Sequence, residues 1–155
     1  MRINPAELGD DIPYHNNLVR ATYNNPDMYR GFASLSGRVH SASNLDDRTR
    51  ELIVLTIAGH LKATFEWASH EVVARRIGVT DAEIAALKST DPSAFSGADR
   101  AIIEFALSVE QCRIDDAQWK AARQHFSDLQ LLDAAQLAGF YGLASRIVLA
   151  LDVQP

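Results

Sequence analysis

From Asn24 to Leu151 the apolar residues of this chain recur three and four positions apart, and no segment alternates apolar with polar residues as a half-buried strand must. A chain patterned in this way folds as helices packed on helices, and its punctuation marks about eight of them. Tyr14 to Tyr23 reads as a short helix after a loose N-terminal arm. Asn24-Asn25-Pro26 is a turn and a helix start, with proline at the first helical position, and the helix that follows carries Met28, Phe32, Leu35 and Val39 on one face. Asn44-Leu45-Asp46-Asp47 opens the next, which runs to about Ala63. Another holds Phe65 to Ile77 and closes at Gly78. Thr80-Asp81-Ala82-Glu83 is a capping box that starts a short helix to Leu87. Ser89 to Gly97, with its Asp91-Pro92-Ser93 and Ser96-Gly97 turn signals, reads as a flexible loop between two helical halves. Helices then span Ala98 to Cys112, Asp116 to about Phe126 and Asp128 to Leu151, which makes the expected fold all-α.

The length of 155 residues suits one domain, with residues 1–23 as arm and short helix and 24–155 as helical core. Hydrophobic residues make up 47% and charged residues 23%, enough apolar side chain to build a core. The net charge of -5, with scattered Lys and Arg, argues against nucleic acid and anionic membrane as partners, since both select a concentrated basic face. The lone cysteine, Cys112, cannot form an internal disulfide and reads as a small buried hydrophobe. Met1 to Asp11 lacks the basic-then-apolar layout of a signal peptide, and the longest apolar stretch, Leu137 to Leu151, is interrupted by Arg146 and falls short of a membrane span. These features point to the cytoplasm.

The last helix is apolar on most sides. Leu131, Ala135, Ala138, Tyr141 and Ser145 share one side; Leu132, Gln136, Gly139, Leu143, Ile147 and Ala150 lie on others. Such a helix is buried in a core or in a subunit interface, and a small protein has little room to surround it alone. A homo-oligomer is expected.

Three residues, Glu51, Glu66 and His70, are the candidates for chemistry. Glu51 shares a helical face with Leu55, Ala58 and Lys62, so its carboxyl lies on or beside an apolar stripe. On the following helix Glu66 and His70 are four apart, above Val73 and Ile77, within side-chain reach of each other. Burial raises a carboxyl pKa and a neighbouring cation lowers it, so a Glu–His pair joined by a second Glu can exchange protons near neutral pH. The plainer alternative is a structural hydrogen bond between Glu66 and His70.

At these residues the chain resembles a known family. Leu45-Asp46-Asp47-Arg48-Thr49-Arg50-Glu51-Leu52, Phe65-Glu66-Trp67-Ala68-Ser69-His70 and Gly78-Val79-Thr80 are similar to segments of the carboxymuconolactone decarboxylase family, as are the flanking Asn25-Pro26-Asp27-Met28 and Phe140-Tyr141-Gly142-Leu143-Ala144-Ser145-Arg146. The resemblance runs from about Asn24 to Val153. One branch of that family, alkyl hydroperoxide reductase D-like, places a Glu before a C-x-x-C-x-x-x-H motif. Glu51 and His70 match its Glu and His, but Ala63 and Glu66 stand where its two cysteines would be. Thiol exchange needs a thiolate and a resolving partner, which disfavours hydroperoxide reduction here. The other branch decarboxylates a lactone acid without a cofactor, and the resemblance implies Glu51, Glu66 and His70 as its acid/base set, His70 delivering or relaying the proton. It also implies an anionic small-molecule substrate and a trimer or hexamer. A non-catalytic, small-molecule-binding oligomer of the same fold is the alternative.

Further residues are candidates for substrate binding. Arg48 and Arg50 flank the start of the Glu51 helix, and a charge at Arg146 inside the most apolar helix requires a partner; of the three, Arg50 reads as an ordinary ion pair. His60 lies near the loop end of the Glu51 helix, Trp67 offers a flat face to a planar substrate, and Tyr141 offers a hydroxyl; for the two aromatics core packing is the plainer reading. No metal is expected. His70-Glu71-Val72-Val73-Ala74 lacks the second histidine of a zinc protease helix, and Glu66 and His70 are four apart where di-iron bundles use three. No Gly-rich nucleotide motif is present.

Overall fold

The computed structural model describes every residue from Met1 to Pro155. It contains eight α-helices: α1 (Asn17–Thr22), α2 (Pro26–Ser41), α3 (Asp47–Leu61), α4 (Thr64–Arg76), α5 (Asp81–Ser89), α6 (Gly97–Glu110), α7 (Asp116–Ala122) and α8 (Asp128–Leu151), with one 3-10 turn at Pro92–Ala94 and no strand.

Local chemistry accounts for most helix starts. Asn16, Asn25, Asp46, Thr80, Asp115 and Ser127 each accept a bond from the first-turn amides, and Thr80, Asp115 and Ser127 complete capping boxes with Glu83, Gln118 and Gln130. Helix ends differ from the sequence reading where the chain turns left-handed. Lys62 adopts φ 57°, so α3 stops at Leu61 and the Ala63 N–H bonds back to the Ala58 carbonyl at 2.9 Å. Cys112, at φ 53°, ends α6 early and stands exposed to solvent instead of buried. Helix α7 ends at Ala122 rather than Phe126, where Gln124 and His125 switch to bonds three residues back.

Helix α3 is the hub, packed by α4, α5, α6 and α8. Every residue from Glu51 to Ala58 is buried, as the all-round apolar run Leu52-Ile53-Val54-Leu55 requires. Gly59 permits the close approach of α5, since a Cβ there would lie 2.6 Å from the Leu87 carbonyl oxygen. The main cluster joins α3 to Ile102, Phe105 and Ala106 of α6 and Leu131, Leu137 and Tyr141 of α8. A smaller cluster of Leu18, Ala21, Ala63, Phe65, Val148 and Val153 closes the other end. The N-terminal arm is bound there rather than loose: the Arg2 amide donates to the Leu151 carbonyl at 2.7 Å and the Ala6 amide to that of Arg20 at 2.9 Å. The Ser89–Gly97 segment is likewise anchored, by burial of Phe95 and by Asp91, which accepts from the Ser93 amide.

Helix α8 sits in the bundle by one side only. Leu131, Ala138, Tyr141 and Ser145 are buried, whereas Leu132, Gln136, Gly139, Leu143 and Ala150 are exposed. At 24 residues it is long and apolar enough to cross a membrane by length and composition, contrary to the reading of its apolar run, and half of its most apolar window is buried against the other helices. The apolar face of α2 is similarly split, with Val39 buried but Met28 71% and Leu35 46% exposed.

Candidate active site

The two-residue connection Lys62-Ala63 folds α4 back along α3 and sets the Glu66–His70 face beside Glu51. The outcome is a linear chain of hydrogen bonds across four helices. Glu51 Oε2 on α3 lies 2.8 Å from His70 Nδ1 on α4; His70 Nε2 lies 2.9 Å from the Tyr141 hydroxyl on α8; and that hydroxyl lies 2.8 Å from His40 Nε2 on α2. A carboxylate at Glu51 fixes the tautomer of His70 with its proton on Nδ1, leaving Nε2 to face the phenol. The imidazoles of His40 and His70 lie nearly parallel, with centroids 6.2 Å apart, and each meets the Tyr141 ring edge-on.

Glu66 stands outside this chain. The i, i+4 spacing suggests a bond to His70, but His70 turns Nδ1 to Glu51, and the buried Glu66 Oε1 has no hydrogen-bond partner. Burial pushes the Glu66 carboxyl above its ordinary range, and the neighbouring His70 opposes this with a smaller effect. Burial also holds the Tyr141 phenol well above 10, helped by the nearby Glu66 and Glu51 charges, so it remains an O–H group. His40 shifts the other way: burial, then the His70 and Arg50 charges, make it hold a proton poorly, with Glu51 pulling in the opposite direction. Two buried carboxyls of unlike environment, one bonded to an imidazole and one bare, are the arrangement that separates acid from base roles. The side chains do not converge as a metal-ligand set.

Of the expected binding residues, Tyr141 joins the centre directly and the others do not. Arg48 is held by Asp99 at 2.8 Å and by Glu83, clamping the start of α3 to α5 and α6. Arg146 is paired with the buried Glu110 carboxylate, and Arg50 with Asp47 and the Leu45 carbonyl, as its plainer reading required. His60, half-buried in the last turn of α3, takes no part in the hydrogen-bond chain. The Trp67 indole N–H donates to Glu71 at 2.9 Å, and its ring, with Lys88 5.6 Å from the ring centre, lines a separate recess with Gly59, Lys62, Ala63 and Thr64. The principal recesses of the protomer lie elsewhere than the Glu51–His70 pair; two of them, about 590 and 390 Å³, form one groove between α2 and α8 and share Leu35 and Leu143.

His40 is the member that sequence reasoning missed. The signal was present: Tyr29, Ala33, Ser36 and His40 recur four, three and four apart, which puts His40 on the inward side of α2.

The sequence profile of the carboxymuconolactone decarboxylase family matches residues 26–108, more than half of the chain and the segment that holds Glu51, Glu66 and His70. The chain belongs to the carboxymuconolactone decarboxylase family. Solved structures agree on the fold. An alkylhydroperoxidase D core protein from Ralstonia eutropha superposes with a TM-score of 0.80 at 21% identity, covering 94% of this chain and 80% of its own. A protein described as a putative antioxidant defence protein of the same type, from Agrobacterium tumefaciens, gives 0.77 at 20%, covering 86% and 93%. A debrominase gives 0.77 at 18%, covering 91% and 77%. No curated protein sequence matches the chain. Within this family fold, the present chain has Ala63 at the N-cap of α4 and Glu66 in its first turn, neither bearing sulfur, and Cys112 lies beyond the C-terminal end of α6 in a recess with Phe105 and Trp119.

Proposed function

We propose that this protein is a cofactor-free acid/base enzyme that decarboxylates, or performs a related proton transfer on, a small anionic lactone or oxo acid. The observation that carries the reading is the bare, buried Glu66 carboxyl beside a His70 already oriented by Glu51. A purely structural network satisfies its members, whereas a carboxyl left without a partner is costly and is kept where chemistry uses it.

In an unsaturated lactone acid, cleavage of the C–CO2 bond sends its electron pair through the double bond onto the lactone carbonyl. The substrate is its own electron sink, and the protein's task is to stabilise the dienolate and return a proton to carbon. A positioned acid contributes roughly a hundredfold to ten-thousandfold to such a step. His70 delivers or relays that proton, and a neutral Glu66 donates a hydrogen bond to the developing oxyanion. Hydroperoxide reduction is disfavoured because Ala63 and Glu66 supply no thiol pair.

The same reading makes the protein a cytoplasmic homo-oligomer, a trimer or hexamer, whose copies cover the α2–α8 groove. Met28, Leu35 and Leu143 are exposed there, and a contiguous apolar strip of this kind marks an association surface. That groove also favours the second reading, an oligomer that binds a small molecule without turning it over. Incubation with γ-carboxymuconolactone and a panel of small lactone and oxo acids, followed by CO2 release, separates the two. Turnover supports the enzyme, and binding without CO2 release supports the second reading.

A further inference from the structure

We infer that His40 is the outer end of a proton relay that runs through the Tyr141 hydroxyl to His70, and is a positioning and proton-transfer residue of this centre. The inference rests on the acid/base reading above and extends it to a histidine outside the residues that the family motif supplies.

Tyr141 Oη faces two imidazole nitrogens, His70 Nε2 at 2.9 Å and His40 Nε2 at 2.8 Å, and carries one proton. Because a buried O–H left without an acceptor is costly, one nitrogen bears hydrogen and donates to the phenol oxygen, while the other is bare and accepts from the phenol. When His70 is neutral, with Nδ1–H directed to Glu51, its Nε2 accepts from Tyr141 and His40 Nε2–H donates to Tyr141. When His70 is cationic, both bonds reverse: His70 Nε2–H donates to Tyr141, and Tyr141 donates to a bare His40 Nε2.

The two states differ by one proton, which enters from water at His40 Nδ1 while two protons shift along the chain. The His40 Nε2–H bond breaks and its proton goes to Tyr141 Oη; the former Tyr141 proton goes to His70 Nε2. The proton taken up at Nδ1 leaves His40 neutral as its Nδ1–H tautomer, the positive charge ends on His70, Tyr141 ends as a phenol, and nothing is oxidised or reduced. Because burial, the largest influence on it, keeps Tyr141 protonated, the phenol bridges the transfer rather than ionising. The charged groups around His40 set the direction: His70 and Arg50 oppose a cation there and Glu51 favours one, while a cation on His70 lies 2.8 Å from the Glu51 carboxylate. His40 and His70 are half-buried and Tyr141 and Glu51 are buried, so His40 gives the chain a second opening to water, on α2.

The test is a histidine 15N NMR titration of the intact protein across about pH 5 to 8, the range in which imidazole changes charge. As His70 takes up its proton, His40 is expected to switch from the Nε2–H to the Nδ1–H tautomer. In Tyr141→Phe the His40 switch is expected to vanish while His70 remains bonded to Glu51. A His40 tautomer that ignores the state of His70, or a switch that survives Tyr141→Phe, overturns the relay. Should Tyr141→Phe not fold, His70→Gln serves, and a persisting switch has the same meaning. This result needs no substrate, so the relay and the catalytic reading fail separately. With a turned-over substrate, His40→Gln is expected to lower kcat at least about tenfold with KM nearly unchanged, and added imidazole to restore His40→Ala. An unchanged kcat overturns the role of His40 in turnover.

Discussion

The hydroxyl of Tyr141 lies 2.9 Å from His70 Nε2, and this bond joins the last helix of the chain to the only imidazole that also reaches a buried carboxylate. Removing the hydroxyl alone, in Tyr141→Phe, leaves the ring packed among Phe140 and the two histidines but strips two imidazole nitrogens of their partner. A stability loss of about 1–3 kcal/mol is expected from urea unfolding. A loss near zero would mean that water replaces the hydroxyl at both nitrogens.

Glu66→Gln tests the bare carboxyl. In the folded state burial raises the Glu66 pKa above its unfolded value, so the folded protein holds this proton more tightly. Below the unfolded value, about 4.3 for Glu, both states are protonated and the group has no effect on stability. As pH rises through the window up to the raised folded value, wild type loses stability, and above it the full penalty persists. The variant lacks this charge. Its Tm relative to wild type should therefore be level in acid and increase with pH. A difference in Tm that is independent of pH contradicts the placement of a bare carboxyl in the core.

Arg48 separates a structural from a substrate-binding role. Its guanidinium bridges Glu83 and Asp99, and all three side chains are partly exposed, so solvent screens the pairs. Arg48→Met should cost about 1 kcal/mol in a denaturant melt and leave KM within about twofold. A large rise in KM with unchanged stability would return Arg48 to the substrate.

The α2–α8 groove predicts association. Leu143 is 46% exposed and lines both halves of the groove. Sedimentation should show wild type well above the 17.1 kDa of one chain and Leu143→Asp close to it, because a charge in an apolar interface is strongly unfavourable. A wild-type monomer, or an intact oligomer in the variant, removes the groove as the interface.

Helix positions were legible in the sequence because caps are local: the Asp46, Thr80, Asp115 and Ser127 oxygens each bond an amide three residues on. Glu51 and His70 were singled out as candidates by their match to the Glu and His of the family motif, but the bond between them was not legible. Periodicity paired His70 with Glu66 on its own helix, whereas the structure pairs it with Glu51 across the Lys62 turn. Tyr141 and His40 contact the centre from 71 and 101 residues apart along the chain, counted to His70 and between the two, and no local pattern registers such distances. Exposure of Leu143 and burial of Ser145, two residues apart on the same helix, depend on where the neighbouring helices lie, which an apolar run alone does not specify.

The pairing of Glu51 with His70 as an acid/base centre is tested most directly by the rate of CO2 release from γ-carboxymuconolactone, or from the best substrate of the lactone and oxo acid panel, in wild type, Glu51→Gln and His70→Ala. Each variant should retain the helical fold by circular dichroism and lose roughly a hundredfold to ten-thousandfold in kcat. Wild-type turnover in both folded variants would contradict the account.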